Sequence, residues 1–269
     1  MSFLFFEITG DAAVKIQDEN YTPGHSACAI QFMERRRAET HAAFFTPHLR
    51  PGMHLLDCGC GPGSITIGLA RLIQPGKVVA IDRSDAQFTH GETAAEAEAL
   101  RIEWKAASVY KLDFSDATFD AVFCHALLEH LSEPGLALRE IFRVLKPGGF
   151  VGLRSPDWDG FLVYPDPIEV REALRYYRGL QEASGGDTLA GRKLATHCRA
   201  ANFEKVQASA TYEVYPDASL IAEYLAWRLE QGPTSDNPGR EHGQTLRSWS
   251  RHPDAFFAQA WGEAMAWRG

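Results

Sequence analysis

Three groups of residues in this chain of 269 have types and spacings that could do chemistry. The first is Asp57-Cys-Gly-Cys-Gly-Pro-Gly63, where Gly59, Gly61 and Gly63 alternate directly behind an acid. Glycine accepts positive φ and carries no Cβ, so such a turn lets a ligand lie against the main chain. The second is Asp82, which closes the apolar run Lys77-Val-Val-Ala-Ile81. A carboxylate at that place can accept both hydroxyls of a ribose. The third is His125 with Glu129 and His130. Imidazole and carboxylate are general-base groups, and a helix through this stretch would put 125 and 129 on one face.

The glycine turn discriminates between ligands. A dinucleotide site uses G-x-G-x-x-G with a pyrophosphate on the helix N-terminus. Here the third glycine comes one residue early and Ser64 stands at the sixth position. The acid ahead of the glycines disfavours a phosphate and suits a ligand that carries an ammonium and a sulfonium.

These residues need a parallel sheet to position them. Met53–Leu56 is a short apolar strand, and Ser64-Ile-Thr-Ile-Gly-Leu-Ala70 opens an amphipathic helix behind the turn. Further strands are expected over 77–82, 101–107, 119–124 and 150–154, the last ending at Ser155-Pro-Asp-Trp-Asp159. Helices are expected over about 25–45, 84–100 and 133–145, then through about Glu182, 191–201, 217–230 and 240–250. Ser84-Asp-Ala-Gln87 reads as the capping box of the second of these. Residues 205–215 and 256–267 read as strands, and 232–239 as a polar loop.

Composition removes several classes. Hydrophobic residues make up 45 %, enough for a full core. The net charge of −8 argues against a general nucleic-acid binder, and Arg35-Arg-Arg37 is too short a basic run to change that. No apolar run approaches the ~20 residues that a membrane helix needs. Met1–Phe6 lacks the basic flank of a signal peptide. Five cysteines, an odd number without metal-ligand spacing, point to reduced thiols and a cytoplasmic protein.

Leu56-Asp-Cys-Gly-Cys-Gly-Pro-Gly63 resembles the first motif of class I S-adenosylmethionine-dependent methyltransferases. Phe119-Asp120 and Val144-Leu-Lys-Pro-Gly-Gly149 are similar to later motifs of that family, in the same order over residues 54–155. The resemblance is to the small-molecule type of ubiquinone and menaquinone biosynthesis. It implies an α/β, Rossmann-like, doubly wound and mostly parallel seven-stranded sheet with an antiparallel last strand. The chain would be one domain: a helical N-terminal flap (1–50), a cofactor-binding core (51–155), and cap elements with the remaining sheet (156–269).

The resemblance implies S-adenosylmethionine as cofactor, a small-molecule acceptor, and no metal. Cofactor contacts would come from Asp57, Gly59, Cys60, Gly61, Gly63, Asp82, Arg83, Ser108, Val109, His125 and, on the flap, Tyr21. Ser108 departs from the family, where an acid often stands and binds the adenine amino group. The acceptor would lie among His25, Asp157, Trp158 and Tyr164, with His125 as base and Glu129 orienting it. Methyl transfer from a sulfonium is an in-line displacement, so alignment of the reactants can supply about 7–11 kcal/mol. A base, where the nucleophile arrives protonated, adds roughly 10²–10⁴-fold. A homodimer is compatible with this reading. Two alternatives remain at this point: an NAD(P)-dependent oxidoreductase on the same strand–turn–helix start, and a non-catalytic S-adenosylmethionine-binding module.

Overall fold

The structure, a computed structural model, describes residues 27–231 and 237–269. Tyr21 and His25 lie outside the described residues, as does most of the polar loop expected over 232–239. Seven strands form one sheet: β1 (His54–Cys58), β2 (Lys77–Asp82), β3 (Ile102–Ala106), β4 (Phe119–His125), β5 (Leu145–Tyr164), β6 (Glu204–Val214) and β7 (Phe256–Trp267). Their spatial order is β3-β2-β1-β4-β5-β7-β6. The first five are parallel, and β7 inserts antiparallel between β5 and β6. This is the Rossmann-like α/β sheet with an antiparallel last strand that the motifs implied.

Strands β1, β2 and β4 are apolar through their middles, with polar residues toward their ends, because helices cover both of their faces. Neighbouring residues of β1 point to opposite sides. Leu55 packs with Phe45, Leu69, Phe123 and Met265 on one face, under α2 (Ala38–His41) and α3 (Ser64–Ile73), while α1 (Ala27–Met33) packs against α8 (Ala218–Glu230). Leu56 packs with Val122, Val151, Leu138 and Ile141 on the other, the last two from α5 (Pro134–Val144). The helix α4 (Phe88–Ala97) follows β2, and α7 (Ala190–Ala200) packs on β5 and β7. A separate apolar cluster joins α6 (Ile168–Ala183), α8 (Ala218–Glu230) and α9 (Gly239–Ser250) around Leu174, Tyr177, Leu225 and Trp249. These helices form the cap.

Three elements differ from the sequence expectation. The helix expected over about 25–45 is broken at Glu34–Arg37, and two short helices replace it. Ser84 caps only a 3-10 turn, Asp85–Gln87, and α4 begins after it. Strand β5 does not end near Ser155: it runs to Tyr164, with a register shift between Asp157 and Leu162. Long-range pairing with β7 carries it through residues whose own preferences are for turns, as tertiary context does for strands generally.

Candidate active site

The strand order reverses between β1 and β4, and in open parallel sheets the crevice for ligands opens there, beyond the carboxyl ends of the strands. The glycine turn leaves β1 at that point. The N–H groups of Gly59 and Cys60 both donate to the Ile81 carbonyl, at 2.8 and 3.0 Å, which ties the turn to β2. The Gly61 N–H donates to Asp82 Oδ2 at 2.9 Å, and the Ser84 N–H to Asp82 Oδ1 at 3.3 Å. Two ionised oxygens have about four acceptor positions, so two remain for the hydroxyls of a ribose.

Gly61 has φ +52°, and a Cβ built there would find nothing nearer than 3.7 Å, Gln87 Oε1. A Cβ at Gly61 would therefore make only ordinary contacts, with Gln87 Oε1 and with Met33 Sδ at 3.9 Å, so it is the positive φ that calls for glycine here. Gly63 is different: with φ +81°, a Cβ on it would lie 2.3 Å from the Trp104 ring. Gly63 serves packing, while Gly61 serves the conformation of the turn. Ser64 Oγ donates to the Met33 carbonyl at 3.1 Å, so the end of α1 lies against this turn.

Asp57 does not face the crevice alone. Its carboxylate is 3 % exposed and accepts the Thr66 hydroxyl at 2.6 Å, locking β1 to α3. Burial pushes its pKa up to about 7, against the Thr66 bond and with help from the Asp82 charge. Ser108 is exposed two residues past β3, where its Oγ accepts the Tyr110 N–H at 3.3 Å. Val109 is buried in the core of that face, and Arg83 is exposed. Burial raises the Cys60 thiol, which stays protonated.

His125 ends β4 and is 5 % exposed. Arginine has donors only, so its Nη1 from Arg154, at 2.9 Å, fixes His125 Nε2 as the acceptor. Burial holds the imidazole well below its usual range, and the nearby Arg36 and Arg154 charges lower it further. The ring is thus neutral with its proton on Nδ1. Glu129 does not orient it: Ala126 takes a positive φ, only Leu128–His130 is helical, and no hydrogen bond joins the two residues. Glu129 instead accepts Ser155 Oγ at 2.9 Å, with its pKa pushed up to about 7 by burial.

The residues expected around the acceptor disperse. Asp157 forms a bidentate pair with Arg192 of α7, at 2.7 Å for Nη2 to Oδ1. Trp158 packs on Tyr177 of α6 in the cap cluster, and Tyr164 is 60 % exposed at the end of β5. Three others stand beside His125 instead. The ring of Trp261 lies 4.9 Å from the His125 ring, with the Arg154 guanidinium 4.2 Å above it. His41 of α2 lies 5.4 Å away on the other side of His125.

A family described as methyltransferase domain matches residues 55–149. The chain is 29 % identical to the probable methyltransferase ltbC of Aspergillus luteorubrus, over 94 % of this chain and 98 % of that protein. It is 30 % identical to the demethylmenaquinone methyltransferase of Bacillus cereus, over 73 % of this chain and 87 % of that one. The chain belongs to the class I S-adenosylmethionine-dependent methyltransferases. In fold, the methyltransferase is similar to phosphoethanolamine N-methyltransferase 2 of Haemonchus contortus, solved in complex with S-adenosyl-L-methionine. That likeness has a TM-score of 0.57 at 18 % identity and covers 86 % of this chain and 52 % of that chain.

S-adenosylmethionine, the cofactor of the family, fits the residues present. The methyltransferase has a positive-φ glycine at 61, spare acceptor positions on Asp82 and no basic cluster in the turn. Sequence reasoning passed over His41, Arg154, Glu213 and Glu263, read Arg36 as part of a solvated basic face, and named Trp261 only among the late tryptophans compatible with an aromatic pocket. The available signal was a charge inside an apolar strand, in Phe150-Val-Gly-Leu-Arg154 and again in Ala260-Trp-Gly-Glu-Ala-Met265.

Proposed function

We propose that this methyltransferase modifies a small molecule, holding the cofactor over β1–β3 and the acceptor over β4, β5 and β7. The observation that carries the reading is the tie between Asp82 and Gly61 at the carboxyl end of β1, with a second set of polar side chains around His125 at the end of the neighbouring β4. Bound there, S-adenosylmethionine supplies a methyl group on a positively charged sulfur. Asp82 takes the ribose hydroxyls, and the Gly59–Gly61 main chain takes the methionine end. Ser108 and the main chain at Val109 border the adenine, with Arg83 at the rim. Asp57, held by Thr66, adds negative charge beneath the turn and favours the ammonium.

His125, in this reading, positions Arg154 rather than removing a proton. Its Nε2 lone pair is committed and its basicity is low. Alignment of the two substrates is the main contribution the chain makes.

Calorimetry with S-adenosylmethionine, S-adenosylhomocysteine and NAD tests the donor, and S-adenosylhomocysteine release with a panel of small acceptors tests turnover. Binding of both sulfur ligands and none of NAD is expected, with turnover on at least one acceptor. Binding without turnover on any acceptor would favour a module that only holds the cofactor.

A further inference from the structure

One rung of the sheet is polar across four strands. His125 of β4 stands opposite Arg154 of β5, Arg154 opposite Glu263 of β7, and Glu263 opposite Ser209 of β6. Partners in register point to the same face, here the face covered by α1 and α2. One rung further on, Thr211 of β6 stands opposite Trp261 of β7. Ser209 and Thr211 both donate to Glu263, at 2.8 Å each, and Arg154 Nε lies 3.4 Å from Glu263 Oε1. Glu263 is therefore fully engaged inside the protein.

Its neighbours are not. Among the described residues, His125 Nδ1 and Trp261 Nε1 are buried without a hydrogen-bond partner, on side chains 5 % and 4 % exposed, and Arg154 Nε, on a side chain 3 % exposed, meets Glu263 only as an ion pair at 3.4 Å. The tautomer of His125 makes its Nδ1 a donor, so all three are N–H groups. Leaving such groups unpaired is costly, and each calls for an explanation, among them a role in binding or catalysis. A fourth group lies beside them. The Arg36 guanidinium, on the turn between α1 and α2, sits 5.9 Å from the Trp261 ring and makes no hydrogen bond among the described residues.

One oxygen is also unpartnered. His41 Nδ1 accepts the Arg37 N–H at 3.1 Å, so His41 Nε2 carries the proton and donates to Glu213 Oε1 at 3.3 Å. Glu213 Oε2 has no hydrogen-bond partner among the described residues. Burial pushes the Glu213 pKa upward, but the His41 bond and the Arg36 and Arg154 charges outweigh it, and the group stays ionised.

The inventory is three N–H donors and a guanidinium against a single carboxylate oxygen. We propose that this cluster is the recognition site for the acceptor's polar head, and that the acceptor is a hydroxy-substituted carboxylic acid. Its carboxylate is received by Arg154, Trp261, His125 and Arg36, and its hydroxyl donates to Glu213 Oε2. Glu213 and Glu263 already offset the two guanidinium charges, so a monoanion suits the cluster better than a doubly charged phosphate. This deepens the small-molecule reading above and rests on it.

The test uses the full-length protein saturated with S-adenosylhomocysteine, so that failure of the cofactor reading is recorded first and separately. Calorimetric titrations then compare 2-, 3- and 4-hydroxybenzoate and 3-hydroxypropanoate with benzoate, the matching hydroxy-amides, inorganic phosphate and diphosphate. At least one hydroxy-acid is expected to bind tenfold or more tightly than its amide and than either phosphate species. Arg36→Gln, on a surface turn, should weaken that acid by tenfold or more with S-adenosylhomocysteine affinity unchanged. Glu213→Gln should remove the preference for the hydroxy-acid over benzoate. Trp261→Phe should weaken every acid in common. If S-adenosylhomocysteine binds but no acid does, or amides or phosphates bind as well as acids, the proposal is overturned. The same holds if Arg36→Gln changes nothing.

Discussion

The Asp82 carboxylate, at the end of β2, accepts the Gly61 main-chain N–H at 2.9 Å. Two stretches 21 residues apart are thereby fixed together: the glycine loop and the acid proposed to bind the ribose. An acid in this place does two things at once. It shapes the turn and still has acceptor positions left for a ligand.

Asp82→Ala is therefore expected to weaken S-adenosylmethionine binding by tenfold or more. Each charge-assisted bond to a hydroxyl is worth about 1.5–3 kcal/mol, and the turn also loses its tether. Calorimetry reads the change, with circular dichroism as the check on folding. An unchanged affinity would assign Asp82 to the turn alone.

The glycines make a paired prediction. Gly61→Ala places a methyl group at ordinary contact distance from Gln87 and Met33, so its folding cost is that of positive φ, about 1–2 kcal/mol, while cofactor affinity drops sharply. Gly63→Ala places a Cβ 2.3 Å from Trp104 and should lower the melting temperature far more. Equal melting temperatures for the two variants would contradict this division of labour.

Asp57 predicts a pH signature in stability. Its pKa is near 7 when folded, against 3.8 as the ordinary value, so the folded chain keeps a proton that the unfolded chain has already released. Stability from this group is thus greatest at low pH, falls as pH rises between about 4 and 7, and stays reduced above that. Asp57→Asn keeps an acceptor for Thr66 and removes the buried charge. The rise from 3.8 to about 7 corresponds to about 4 kcal/mol, at about 1.4 kcal/mol per pH unit. The variant should gain on the parent by an amount of that order between pH 4 and 8, measured by denaturant unfolding without cofactor. A pH-independent difference would refute the assignment. The parent's own profile is flatter, because His130, held down to about 3 by burial, contributes with the opposite sign.

His125 should leave no inflection near pH 6.5 in the turnover of the parent, since burial and two guanidinium charges keep it neutral throughout that range. His125→Gln retains an acceptor for Arg154 and should keep most of the turnover. His125→Ala strands that N–H and should raise the acceptor KM. A histidine-like pKa in the parent profile that vanishes in His125→Gln would restore it as a general base.

Much of the cofactor half was legible because its information is local. Apolar runs ending in Asp57 and Asp82, and glycines alternating between them and the next helix, declare their geometry within a few residues. The parallel strands followed from the same patterns, whereas the antiparallel strand at 256–267 followed from the family resemblance. The acceptor half was not legible. Arg36, His41, His125, Arg154, Glu213 and Trp261 come from five separate stretches and meet only because β7 inserts between β5 and β6 and the break after Met33 lays α2 across that face. No spacing rule encodes such a meeting. Residues 157, 158 and 164 show the converse: adjacent to the cleft in sequence, they are drawn by the continuation of β5 into a salt bridge, a cap core and solvent. Local chemistry sets where a turn can admit a ligand. Which distant side chains surround that ligand is decided by strand pairing, whose energy depends on partners far along the chain.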